Sequence, residues 1–94
     1  MEQDRHEKKV PLGRVVITPG ALAALEPGAA PEALKRHAAG DWGEVGREDW
    51  KLNDESIRDG DRILSAYTDA KGTKFWIITE ADRSVTTILL PDEY

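Results

Sequence analysis

With 94 residues and a formal net charge of −5, the chain is long enough for one compact domain and too short to hold a cofactor-binding domain beside a substrate domain. It has no cysteine, which excludes disulfides, thiolate metal sites and a cysteine nucleophile, and it has no apolar run near the ~20 residues that span a bilayer. The opening MEQDRHEKK is charged and lacks the apolar core of a signal peptide, so a cytoplasmic protein without membrane contact is expected.

Residues 1–9 are polar without period and read as a disordered tail; residues 10–94 read as a single α+β domain. GRVVIT (Gly13–Thr18) is a β-branched run that predicts a short strand. Thr18-Pro19 is a helix start, with a capping hydroxyl and a proline where no hydrogen bond is lost. The helix-prone GALAALE follows, and Pro27-Gly28 ends it. Pro31 opens a second helix, PEALKRHAA, and Gly40 supplies the residue that favours a left-handed conformation beyond its end. DWGEVG (Asp41–Gly46) reads as a loop pinned to the core by Trp42 and Val45. A third helix runs from about Arg47 to Asp59, with Trp50, Asn53, Asp54 and Ile57 on one face and Gly60 as its stop.

Three further strands follow: Arg62–Thr68, Thr73–Thr79 and Val85–Leu90. The polar links between them, Asp69–Gly72 and Ala81–Ser84, are short enough only for antiparallel neighbours. The predicted order is β-α-α-α-β-β-β: a short N-terminal strand and three helices on a C-terminal three-stranded antiparallel meander. The middle strand is apolar on both faces and is expected to be central. Pattern alone leaves open whether Gly13–Thr18 joins the sheet.

The negative charge is local. Asp41, Glu44, Glu48, Asp49, Asp54, Glu55, Asp59 and Asp61 stand against Arg47, Lys51 and Arg58, so the segment Asp41–Asp61 carries the whole net charge. It reads either as a solvated helix face or as a surface that attracts a basic protein partner.

His37 is the side chain suited to general acid–base chemistry near neutrality; it also reads simply as a cation at the negative end of a helix. His6 lies in the tail. Arg62, Ser65, Tyr67, Thr79, Glu80, Arg83, Thr86 and Thr87 cluster on the strands and their ends. An arginine there can hold an anion in bidentate fashion, and hydroxyls can bond phosphate oxygens. With His37 opposite, the set suffices for metal-independent phosphodiester cleavage. The competing reading is ordinary strand threonines and a turn arginine. No metal site, phosphate loop or nucleophile elbow is spelled out, and no cofactor is expected.

The strings RHAAGDWG, GDRILSAY and GTKFWIITEADRSVTTILLPDEY resemble a family of small uncharacterised bacterial proteins often labelled plasmid- or phage-related. The resemblance spans roughly Arg14 to Tyr94, and WIITEADRSVTTILLP is its most specific part. A second similarity, of architecture, is to ribonuclease domains of the barnase–colicin–RelE type, where helices precede an antiparallel sheet bearing His, Arg and hydroxyl residues. It implies catalytic roles for His37, Arg62, Ser65, Tyr67, Arg83 and Thr87, and RNA as substrate. The first expectation is therefore a toxin-type ribonuclease-like domain. The alternative is a non-catalytic acidic module (an antitoxin, inhibitor or nucleic-acid mimic) that binds a basic protein through Asp41–Asp61. A homo-oligomer formed through strand edges or Trp faces is a third reading.

Overall fold

Strand β1, Arg14–Ile17, is extended through the β-branched Val15, Val16 and Ile17. Thr18 then turns the chain. Its hydroxyl accepts from the Ala21 amide, Pro19 takes the first helical position, and helix α1 runs Pro19–Ala24. The computed structural model describes residues 9–94. The expected tail therefore lies almost wholly outside the described residues, as does His6. At its end, the Lys9 and Val10 amides both donate to Ala38 O, and Val10 is buried.

Helix α2 runs Ala29–Ala38 and so begins before Pro31. The first-turn amides of a helix have no intrahelical acceptor, so proline costs no bond anywhere in that turn. Helix α3 spans Arg47–Asp59 and stops where Gly60 adopts φ +78° and donates to Ser56 O. Strands β2 (Ile63–Thr68), β3 (Lys74–Thr79) and β4 (Val85–Leu89) then form the expected antiparallel meander. A 3-10 turn, Pro91–Glu93, closes the chain.

The sheet nevertheless has four strands and is mixed, which corrects the three-stranded antiparallel expectation. Strand β1 lies parallel to β4, with Arg14 beside Val85 and Ile17 beside Ile88, and the order is β1-β4-β3-β2. The two partners come from opposite ends of the chain, so no local pattern reports their pairing.

Alternation divides the sheet. Ile63, Ser65, Tyr67, Phe75, Ile77, Thr79, Thr86 and Ile88 share one face, and all are buried. Ala21 of α1 and Ala33 of α2 pack on its Tyr67–Phe75–Ile77–Ile88 part. Trp50 and Ile57 of α3 pack with Trp42, Val10 and Ile63 at the other end. Leu64, Trp76, Ile78, Thr87 and Leu89 point to the opposite face, which we call the open face; there Tyr94 folds back edge-on to Trp76.

The two sheet edges differ. Along β2, Asn53 of α3 donates to Leu64 O at 2.8 Å and accepts from Leu64 N at 3.4 Å. Next to it, Ala66 N donates to Trp42 O and Ala66 O accepts from Glu44 N. A side-chain amide and a loop thus occupy the groups that an added strand would use. No helix among the described residues is long and apolar enough to cross a membrane.

Candidate functional site

His37 sits on the inward face of α2, three residues before the left-handed Gly40 (φ +89°), and has no solvent exposure. Its Nδ1 lies 2.6 Å from Ser65 Oγ and its Nε2 2.8 Å from Thr79 Oγ1. Thr79 Oγ1 is 2.7 Å from Thr86 Oγ1, and Thr86 donates to Leu12 O at 2.7 Å. Counting protons fixes the direction of the chain. Thr86 spends its one hydrogen on Leu12 O, so Thr79 must donate to Thr86. Thr79 therefore accepts from His37, and the proton is on Nε2. Nδ1 then accepts from Ser65. All four bonds run one way, Ser65 to His37 to Thr79 to Thr86 to Leu12 O, an arrangement in which each bond polarises the next. Trp42 closes the ring side edge-on at 5.6 Å. Burial, with the positive charge of Arg83 adding to it, pushes the imidazole down to a pKa of about 4. His37 is thus neutral and fully hydrogen-bonded at physiological pH.

The other predicted residues are not gathered around it in one cleft. Ser65 is buried beside His37. Tyr67 shares that face, donates to Asp41 O at 2.7 Å and, by burial, has its phenol pushed up to about 12. Arg83 adopts φ +61° in the β3–β4 turn, and its guanidinium donates to Ser56 O, Asp61 O and Glu80 O. It ties that turn to the C-terminal end of α3, where a cation meets the helix dipole favourably. Arg62 and Thr87 belong to the other side of the sheet. Thr87 pairs with Ile78 on the open face, and Arg62 is exposed, donating to the Tyr94 hydroxyl and lying over its ring at 5.5 Å. The period of two decides this division. Ser65, Thr79 and Thr86 fall on one face, while Thr87 falls on the other.

Among the described residues no three His, Asp or Glu side chains converge to hold a metal ion.

A different feature is solvent-accessible. Between α3 and β2 lies a groove of about 380 Å³, lined by the apolar Val45, Leu52 and Leu64, the polar Asn53 and Ser56, and the charged Asp49, Asp61 and Arg62. Leu52 is 57 % exposed, and Glu48, Lys51 and Glu55 surround its outer side. Several acids of the segment are already committed inside the molecule. Asp41 pairs with Arg36 at 2.8 Å, Glu44 accepts from Thr68 and Asp54 accepts from Trp42 Nε1. Glu48, Asp49, Glu55 and Asp61 form no ion pair among the described residues.

No catalytic or ligand-binding motif marks the groove in the sequence. The available signal was Leu52, an apolar residue on the polar side of an otherwise charged helix. Compared with protein-family models, curated proteins and solved structures, the chain matches none of them, so its function is read from its own residues.

Proposed function

We propose that this domain is a non-catalytic interaction module that docks a basic, amphipathic protein segment along α3 and the β2 edge. The observation that carries the proposal is Leu52, a large apolar side chain left exposed at a groove whose charged lining is Asp49, Asp61 and Arg62, the arginine being engaged with Tyr94. A partner that puts one apolar side chain against Leu52, Val45 and Leu64 brings its lysines or arginines within reach of Glu48, Asp49 and Asp61. Apolar contact then supplies affinity, while these carboxylates supply steering and register. The resemblance to plasmid- and phage-related proteins would cast such a module as an antitoxin, a host-factor inhibitor or a mimic of nucleic-acid charge. In the ribonuclease-like reading the acid–base group would be His37, which is sealed behind α2 with both nitrogens engaged. That reading therefore ranks second.

The test uses a designed helical peptide of alternating Leu and Lys faces as probe, titrated into the full chain and followed by amide NMR shifts. Perturbations should centre on Val45, Leu52 and Leu64. Leu52→Asp should weaken binding at least about tenfold, the worth of one well-buried apolar contact. The double reversal Glu48→Lys/Asp49→Lys should slow association and reduce the salt dependence. Binding that maps elsewhere, or that ignores Leu52→Asp, removes the proposal.

A further inference from the structure

The two edges of the sheet are treated oppositely, and the untreated one carries the inference. Arg14 N donates to Ser84 O and Thr18 N to Ile88 O, so the residues at even positions of β1 face β4. The N–H and C=O groups of Val15 and Ile17 therefore point outward. Among the described residues no backbone group bonds them. Where β2 is covered by Asn53 and the Trp42–Glu44 loop, no described residue covers β1. Its flank is apolar as well: Val15 is 43 % exposed, Leu22 of α1 is 67 % exposed, and Leu22 adjoins Ile17 along the groove between α1 and α2.

We infer that β1 pairs antiparallel with β1 of a second copy, across a two-fold axis at Val16, making one continuous eight-stranded sheet. Three observations select a second copy as the occupant. First, the strand is self-complementary about Val16. The outward-facing Val15 meets the partner's Ile17 as a hydrogen-bonded pair, twice, and the two Val16 residues meet as a non-hydrogen-bonded pair. Pairing stops at Pro19, which has no amide to offer.

Second, the charges match. Arg14, Val16 and Thr18 lie on the open face, and this register sets Arg14 across from the partner's Thr18. Thr18 donates to the Glu93 carboxylate, which also accepts from Gly20 N and Leu90 N. Those bonds hold the Glu93 carboxyl below its usual range, so it stays charged. Each Arg14 thus faces one fixed carboxylate of the other copy. Third, α3 packs at the far edge, beside β2. Joining the β1 edges keeps the two acidic helices as far apart as the sheet allows, so the net charge of −5 per chain opposes this dimer least.

Sedimentation equilibrium of the full chain over about 1–300 μM should show a reversible monomer–dimer transition with a micromolar Kd, as suits an interface at the small end of the range. Val15→Pro removes an outward amide and leaves the β1–β4 ladder intact; it should raise the Kd at least ~10-fold while the monomer keeps its circular dichroism. Arg14→Glu should raise it several-fold at low salt. Because the chain has no cysteine, Val16→Cys gives an independent measurement. Its Cα atoms would meet at about 4.5 Å across the axis, within disulfide reach. It should oxidise to a covalent dimer much faster than Lys74→Cys, which sits exposed on the same face. A chain that stays monomeric throughout overturns the inference. So does a dimer indifferent to Val15→Pro, or oxidation no faster at position 16 than at 74. If Val15→Pro fails to fold, the cysteine comparison decides.

Discussion

At the scale of single residues, His37 is where sequence and structure give the same atom different work. An imidazole near the end of a helix suggests proton transfer, but here it is the second link of a buried one-way chain ending on Leu12 O. Its pKa of about 4 lies below its ordinary 6.5, so the folded state binds fewer protons than the unfolded state between those values. The stability contributed by neutral His37 is thus complete above pH 6.5 and is lost as pH falls from 6.5 toward 4. The whole interval corresponds to roughly 3 kcal/mol. Urea denaturation at pH 7.5, 5.5 and 4.5 should show that fall, and His37→Gln should be less stable at pH 7.5 with a flatter profile. A His37→Gln profile as steep as the wild type would show that other groups carry the pH dependence. Nitrogen NMR at neutral pH should find the proton on Nε2. Thr86→Val takes the last donor from the chain and leaves Leu12 O unpaired, so it should cost about 1–3 kcal/mol in the same assay.

At the scale of elements, the informative contacts are those that close the β2 edge. The helical period places Asn53 on the face of Trp50 and Ile57 but does not name its partner; it is buried and satisfies both backbone groups of Leu64. Beside it, Gly43 has φ +72° and approaches β2 so closely that an added Cβ would lie 2.0 Å from Ala66 O. Gly43→Ala therefore combines a strained conformation with a backbone clash and should destabilise the fold by on the order of 3 kcal/mol or more. Asn53→Ala should cost about 1–3 kcal/mol through the two lost bonds. It should also speed amide exchange at Leu64 and promote concentration-dependent aggregation, because it bares an edge. Unchanged exchange at Leu64 in Asn53→Ala would mean that the helix backbone, not the amide, protects that edge. The meander itself was legible in the sequence, since each link is too short for anything but an antiparallel return. The pairing of β1 was not. Its partner lies at the other end of the chain, and a short strand with three β-branched residues looks the same whether it is paired or alone.

At the scale of the whole molecule, the same limit explains why the predicted site dispersed. Alternation within a strand is a local rule, and it places Ser65 and Tyr67 on one face. The relative phase of neighbouring strands, however, is set by register. Register put Thr86, not Thr87, opposite Thr79 and left Thr87 and Arg62 on the open face. Charge, by contrast, was fully legible, because the net −5 needs no fold to be located. It predicts opposite responses of folding and binding to salt. Glu48, Asp49, Glu55 and Asp61 repel one another around α3 without compensating ion pairs among the described residues, and Glu55 stands one turn from Asp59 at the unfavourable end of the helix dipole. Raising NaCl from 20 to 300 mM shortens the Debye length from roughly 20 Å to about 6 Å and should therefore stabilise the monomer. If the relief is about 1 kcal/mol, Tm rises by about 4–8 °C for a domain of this size. The same salt should weaken a basic probe bound along α3. Asp59→Lys separates this from general salting-out, because it turns the pair with Glu55 attractive and suits the helix end. It should raise Tm at 20 mM NaCl and flatten the rise toward 300 mM. A variant whose salt response equals that of the wild type would show that repulsion on α3 is not what the salt relieves.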